Sequence, residues 1–294
     1  MSTSHQNSLN IPPEIKQRMG KVVFAAAGSG DPDLITVKAA NALREAEVVL
    51  VDRLVSREII KRYVSANAIV VKVGKECKND VSTPQLVINQ LLVQNALDGK
   101  LVVRLKGGDV SVFSNILDEL QSVMAHQIPY EIIQGVTASL GAAAYAGIPL
   151  TARGYAKSLR MLTHYKSDIV SDEKWQELAQ TDDTLVFYMS SSNLDDMVDK
   201  LLEFGISKKV HIAIVEQATT ICQQVHECNI YEYGQQLKGK KFISPSLVII
   251  GKVVALHRQY KWLENSDHQE KYFISVGESA QNILENTKPR EHVI

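Results

Sequence analysis

Residues Lys21–Asp33 read KVVFAAAGSGDPD, a nearly continuous apolar run of strand length that stops in a dense cluster of turn formers. A short apolar run bounded by Gly, Asp and Pro is the pattern of a buried strand feeding a turn. Leu34, Val37, Ala39, Ala42 and Leu43 then recur at three- and four-residue spacing, which predicts a helix. Strand, tight turn and helix open a crossover unit, and the chain repeats it. Glu47–Val51, Ile69–Val73, Leu101–Leu105 and Tyr130–Ile133 read as further strands, with helices over Pro84–Leu97 and Thr137–Ala146. Strands alternating with helices predict a mainly parallel sheet with buried strands.

The alternation breaks in Gly147–Tyr155 at Pro149 and Gly154, where a domain boundary is expected. Beyond it Leu159–Thr163, Thr184–Tyr188, His211–Val215 and Leu247–Ile250 read as strands, and Asp172–Ala179 and Asn193–Phe204 as helices. Ile221–Cys228 follows Val210–Val215 with no room for a crossover helix, so the second sheet is expected to be mixed. The resulting expectation is α/β with two domains, 21–147 and 155–258. Residues 1–20 read as a mobile leader, and 259–294 as a polar tail that is either helical or disordered.

Composition agrees with two domains: 294 residues are about twice the usual domain length. With 32 Lys+Arg against 33 Asp+Glu, the chain lacks the general basic excess of a nucleic-acid or anionic-membrane binder. Cys77, Cys222 and Cys228 are too few and too scattered for a disulfide framework or a four-ligand zinc site, which predicts reduced thiols in the cytoplasm. No stretch approaches a spanning helix, and the leader lacks the apolar core of a signal peptide. His164 and His211 have no metal-like partner at i+4, so no metal is expected. There is no nucleophile triad and no phosphate-binding loop.

Three segments end strands on the edge where open parallel sheets bind ligands. Gly28–Asp33 opens a helix without being the dinucleotide fingerprint, since no glycine falls three residues after Gly30. Val51–Leu54 sets Asp52 beside Arg53, and Lys75 follows the third strand. Arg104–Asp109, RLKGGD, is the sharpest. Its paired glycines let a ligand approach the backbone, and Asp109 offers a carboxylate to ribose hydroxyls or an ammonium group. Across the boundary, Ile132–Ser167 contains no acid in 36 residues but carries Arg153, Lys157, Arg160 and Lys166. Such a stretch suits a polyanionic small ligand.

These segments, in order, resemble the uroporphyrinogen-III C-methyltransferases of the tetrapyrrole methyltransferase family. The resemblance runs from about Val22 to Leu256 and rests on GSGDPDLIT, VDRLVS, VGK, VVRLKGGD, GVTAS, AAYAGIPLT, RGYA, LVFYM and GKVVAL. It implies the two-domain tetrapyrrole methylase fold, S-adenosylmethionine held in a cleft, a homodimer, and methylation of uroporphyrinogen III at C2 and C7 to precorrin-2, on the way to sirohaem or cobalamin. By motif, Asp52 resembles the proton acceptor and Lys75 the proton donor. Ser29, Gly107, Gly108, Asp109, Val112, Thr137, Ala138, Met189 and Ala218 occupy cofactor-contact positions. Arg53, Lys106 and Arg153 are the candidates for substrate carboxylates. The chain departs from the family pattern in Gly28-Ser29-Gly30, usually Gly-Pro-Gly, and most in Asp109–Glu119, where the usual Pro, Arg and three glycines are missing.

Overall fold

The structure is a computed structural model describing residues 19–74, 83–164, 170–190 and 192–273. Most of the expected leader, Lys75, Cys77, Lys166 and the end of the tail lie outside the described residues. The chain divides into two compact units, one running up to Val136 and taking back Phe273, the other spanning Thr137–Tyr272. The division falls ahead of Gly147–Tyr155, whose Ile148 and Leu150 pack in the core of the second unit.

In the first unit, β1 (Lys21–Ala26), β2 (Val48–Val51), β3 (Ile69–Lys72), β4 (Leu101–Lys106) and β5 (Tyr130–Ile133) form one sheet in the order β3-β2-β4-β1-β5. Every neighbouring pair is parallel. The connections carry α1 (Val37–Glu45), α2 (Arg57–Tyr63), α3 (Gln85–Leu97) and α4 (Leu117–Ala125). Thr36 starts α1 by accepting the Ala39 N–H at 3.3 Å. Periodicity did not predict α2 and α4: α2 is only seven residues long, and neither has a side-chain cap at its start.

Side chains of a strand alternate between faces, and this sheet builds a core on each. Val23 and Ala25 of β1 join Leu43 of α1 and Ile59 of α2, while Val22 and Phe24 join Ile88 and Leu92 of α3 and Val123 of α4. The connections leaving β1 and β4, two adjacent strands, therefore depart to opposite faces. That is a topological switch point, and it opens at the C-terminal ends of these strands. The edge strands depart from the expected burial: Ile69 is 57% exposed and Ile132 46%.

The second unit has β6 (Leu159–Thr163), β7 (Thr184–Tyr188), β8 (His211–Glu216), β9 (Gln224–Asn229) and β10 (Ser246–Gly251), in the order β6-β7-β10-β8-β9. Only β6 and β7 run parallel, so the sheet is mixed as expected. One face packs on α5 (Ala138–Tyr145), the other on α6 (Asp172–Gln180) and α7 (Leu194–Glu203). Among the described residues no helix is long and apolar enough to cross a membrane.

Leu194, Met197, Val198 and Leu201 form the buried stripe of α7 at i, i+3, i+4 and i+7. Leu201→Ala is expected to lower the stability of the second unit by about 2–5 kcal/mol, read from urea unfolding. The half-buried neighbour Leu202→Ala should cost distinctly less.

Candidate active site

At the switch point of the first unit the β1 and β4 loops pair through their backbones. The Gly28 N–H donates to the Gly108 carbonyl at 3.1 Å, and the Gly108 N–H to the Gly28 carbonyl at 2.7 Å. Both residues are left-handed, at φ +81° and +70°, which glycine adopts without strain. A Cβ on Gly107 would lie 2.6 Å from the Leu54 carbonyl oxygen, so the β4 loop rests directly on the VDRL segment. A Cβ on Gly135 would lie 2.6 Å from that of Ala26. The paired glycines of RLKGGD are thus demanded first by loops packed side by side. Ser29 sits half-buried in the β1 loop.

Asp109 closes this arrangement. One carboxylate oxygen accepts the Ser111 hydroxyl and, at 2.8 Å, the Ser111 N–H; the other accepts the Gly135 N–H at 2.8 Å. Its carboxylate is spent on joining the β4 loop to the β5 loop, where the sequence suggested it faced a ligand. Burial works against its charge, but the Ser111 hydroxyl and the two amides outweigh it and hold the carboxyl below the usual aspartate value.

Beneath the loops lies a buried charge cluster. Arg104 and Lys106 stand two apart on β4 and share the face turned toward α3 and α4. The Arg104 Nε donates to Glu119 of α4 at 3.1 Å and the Lys106 ammonium lies 3.4 Å from the same carboxylate. All three side chains are 6% exposed or less. The Arg104 guanidinium also reaches the Leu50 carbonyl at 3.3 Å and lies 3.7 Å from Asp52 Oδ1. Burial, with Arg104 close by, lowers the Lys106 pKa against the pull of Glu119 and Asp52. Lys106, expected to meet substrate carboxylates, is turned inward by strand alternation. The structure adds Arg104 as a partner of Asp52, and its i, i+2 spacing to Lys106 is the signal of this in the sequence.

Asp52 itself directly follows β2 and keeps 30% of its side chain exposed. A Cβ on Gly74 would lie 3.2 Å from that of Arg53 and 3.5 Å from Asp52 Oδ1, so the end of the third strand abuts this pair. Arg53 is half-exposed and Val112 half-buried. Lys75, the next residue after Gly74, lies outside the described residues.

In the second unit Thr137 precedes α5, and Ala138 is its first residue. Their helix start is capped from β7: the Tyr188 hydroxyl lies 2.8 Å from Thr137 Oγ1 and accepts the Ser139 N–H at 3.0 Å. Tyr188 lay within the FYM signal, but only the fold brings its phenol to α5. Met189 follows at φ +58° and is 42% exposed; Ala218 lies between Gln217 and Thr219, at φ +48° and +63°. Left-handed residues other than glycine cost about 1 kcal/mol or more each, and their gathering at strand ends marks built loops. Arg153 is exposed in a turn closed by an Ala152–Ala156 bridge. Arg160 pairs with Glu177 and Asp183, so the acid-free stretch is less basic than its sequence suggests.

The sequence pattern of the tetrapyrrole (corrin/porphyrin) methylases matches residues 21–234. The chain belongs to this family. It is 40% identical over 248 residues to the uroporphyrinogen-III C-methyltransferase of Bacillus subtilis, covering 84% of this chain and 96% of that protein. It is 38% identical over 246 residues to the siroheme synthase of Saccharophagus degradans, covering 84% of this chain but 53% of that one. The chain thus spans about half the length of the siroheme synthases it matches. Among solved structures, the uroporphyrin-III C-methyltransferase of Thermus thermophilus complexed with S-adenosylhomocysteine superposes with a TM-score of 0.67 at 30% identity, covering 81% of this chain and 94% of that one.

For this family member, Asp109→Asn is expected to cost about 1–3 kcal/mol at pH 7, because an amide cannot accept from every donor around it. A depressed carboxyl stabilises the fold above the unfolded aspartate value and loses that contribution as pH falls through its folded value. The gap between wild type and variant, measured by urea unfolding, should therefore close as the pH is lowered below about 4.

Proposed function

We propose that this chain is an S-adenosylmethionine-dependent uroporphyrinogen-III C-methyltransferase that methylates C2 and C7 to give precorrin-2. The relative from Bacillus subtilis carries this reading, because it bears that name and is matched over 96% of its length. The chain acts in this reading as a homodimer in the cytoplasm, feeding sirohaem or cobalamin synthesis.

The residues fit the cofactor. Its adenosine needs backbone hydrogen bonds and small or apolar neighbours, and its sulfonium needs freedom from unbalanced cations. In the first unit, Gly107, Gly108 and Val112 offer backbone and small side chains, and Asp109 contributes through its main chain since its carboxylate is engaged. Arg104 and Lys106 are balanced by Glu119 and Asp52, so among the described residues no uncompensated buried cation opposes a sulfonium there. In the second unit Thr137, Ala138, Met189 and Ala218 supply the corresponding positions. Ser29 substitutes for the family's proline in a loop held by backbone pairing.

Bound S-adenosylmethionine supplies a methyl group already activated on sulfur. The chain's own residues then position the electron-rich pyrrole and manage protons. Asp52, partly exposed and oriented by Arg104 at 3.7 Å, accepts the proton that the ring must lose. Lys75 is the proton donor, and Arg53 and Arg153 bind some of the eight substrate carboxylates. Lys106 serves indirectly, by holding Glu119. A second reading, methylation of another tetrapyrrole, draws on the altered Asp109–Glu119 loop, in which Phe113 and Asn115 are both left-handed.

Anaerobic incubation with S-adenosylmethionine and uroporphyrinogen III should add two methyl groups, read by mass spectrometry; transfer only to a different tetrapyrrole would favour the second reading. Asp52→Asn and Lys75→Ala are expected to lower turnover at least a hundredfold while S-adenosylhomocysteine still binds. Parental rates in both variants would overturn the assigned roles.

A further inference from the structure

Residues Lys261–Tyr272 lie beyond the part matched by the family pattern, 21–234, yet they are bound into the second unit by specific contacts. The first tie is to the end of α5. A helix leaves its last carbonyls without intrahelical partners, and here three side chains serve them. The Trp262 Nε1 donates to the Ala144 carbonyl at 2.8 Å, Gln223 Nε2 to Tyr145 at 3.3 Å, and His257 Nδ1 to Ala146 at 2.5 Å. The Trp262 ring also packs edge-on against Tyr145, with centroids 5.4 Å apart. At Gly147 a Cβ would lie 2.3 Å from the Tyr260 carbonyl oxygen, so the chain is pressed onto the helix end.

The second tie is to β9. The Asn265 carboxamide accepts the Val225 N–H at 2.7 Å and donates to the Val225 carbonyl at 3.1 Å, as a neighbouring strand would. The Ser266 N–H donates to the Gln223 carbonyl at 3.1 Å. The third tie reaches the loop after β8. Gln217, fully buried and left-handed, accepts the Tyr272 N–H at 2.7 Å and donates to the Glu270 carbonyl at 3.1 Å. On the other side of Ala218, the Thr219 N–H donates to Gln223 Oε1 at 2.8 Å. Both flanks of Ala218 are thus held by side-chain amides, one locked onto the extension and the other onto α5.

We propose that Lys261–Tyr272 is a positioning strap that sets the Gln217–Thr219 loop and α5 for the cofactor, with Gln217 as the positioning residue that couples the extension to the loop. This rests on the reading of Ala218 and Ala138 as cofactor contacts. The strap acts on cofactor affinity without touching the reacting atoms.

Gln217→Leu and Asn265→Ala in the full chain test it. Leucine leaves the Glu270 carbonyl and Tyr272 N–H unserved; the exposed Asn265 keeps the test open if the Gln217 variant fails to fold. Each is expected to weaken S-adenosylhomocysteine binding, measured calorimetrically, with about a tenfold loss for Gln217→Leu. The KM for S-adenosylmethionine should rise with it, while the KM for uroporphyrinogen III stays put and amides 217–219 exchange hydrogen faster. Binding within twofold of wild type in both variants overturns the strap, as does an equal rise in both KM values, the mark of general damage. A wild-type chain that binds no S-adenosylhomocysteine brings down the functional reading and the strap with it; a wild type that binds, with variants that bind equally, brings down only the strap.

Discussion

One buried carboxylate, Glu119, holds two buried cations. Arg104 and Lys106 are carried into the sheet's interior by the alternation of β4, and Glu119 comes to them from the first turn of α4. Removing one partner of a buried pair costs about 3–5 kcal/mol, a large fraction of the 5–15 kcal/mol that a domain commonly has. Coulomb attraction at 3.1–3.4 Å does not by itself offset the desolvation of three charges, so the added hydrogen bond to the Leu50 carbonyl and the ion pair with Asp52 matter. The cluster fixes how α4 sits on the sheet, and through Arg104 it reaches the side chain at the end of β2.

Above that cluster the loops have little freedom. Gly28 and Gly108 meet backbone to backbone, Gly107 lies on Leu54, and Asp109 binds Gly135. A carboxylate that looks available in RLKGGD is in fact internal, and this division of labour suits a ligand read by main-chain atoms. The acid-free stretch Ile132–Ser167 teaches the same lesson about charge. Its Arg160 is neutralised by Glu177 and Asp183, acids that sequence distance hides and folding delivers.

Much of the fold was legible from the chain alone. The apolar runs of β1, β2 and β4 are unmistakable because both of their faces are buried, and the periodic helices α6 and α7 lie within a residue of their expected bounds. Helices α2 and α4 are not legible in this way, since helices of seven and nine residues are stabilised by tertiary packing more than by local pattern. The extension after Trp262 is illegible in the sequence for a similar reason: its order comes from Trp262, Asn265 and Gln217 contacts, none of which has a periodic signature.

By itself, then, the sequence determined the alternating plan, the mixed second sheet and the family, because period, turn chemistry and motif order are local properties. Only the tertiary structure decided which charges are spent and which are free. Lys106 and Asp109 turn inward, Asp52 and Arg53 stay partly exposed, and Tyr188 caps a helix 50 residues upstream. A side chain's partner is set by which strand face it occupies and what crosses over it, and the crossover exists only once the sheet has formed.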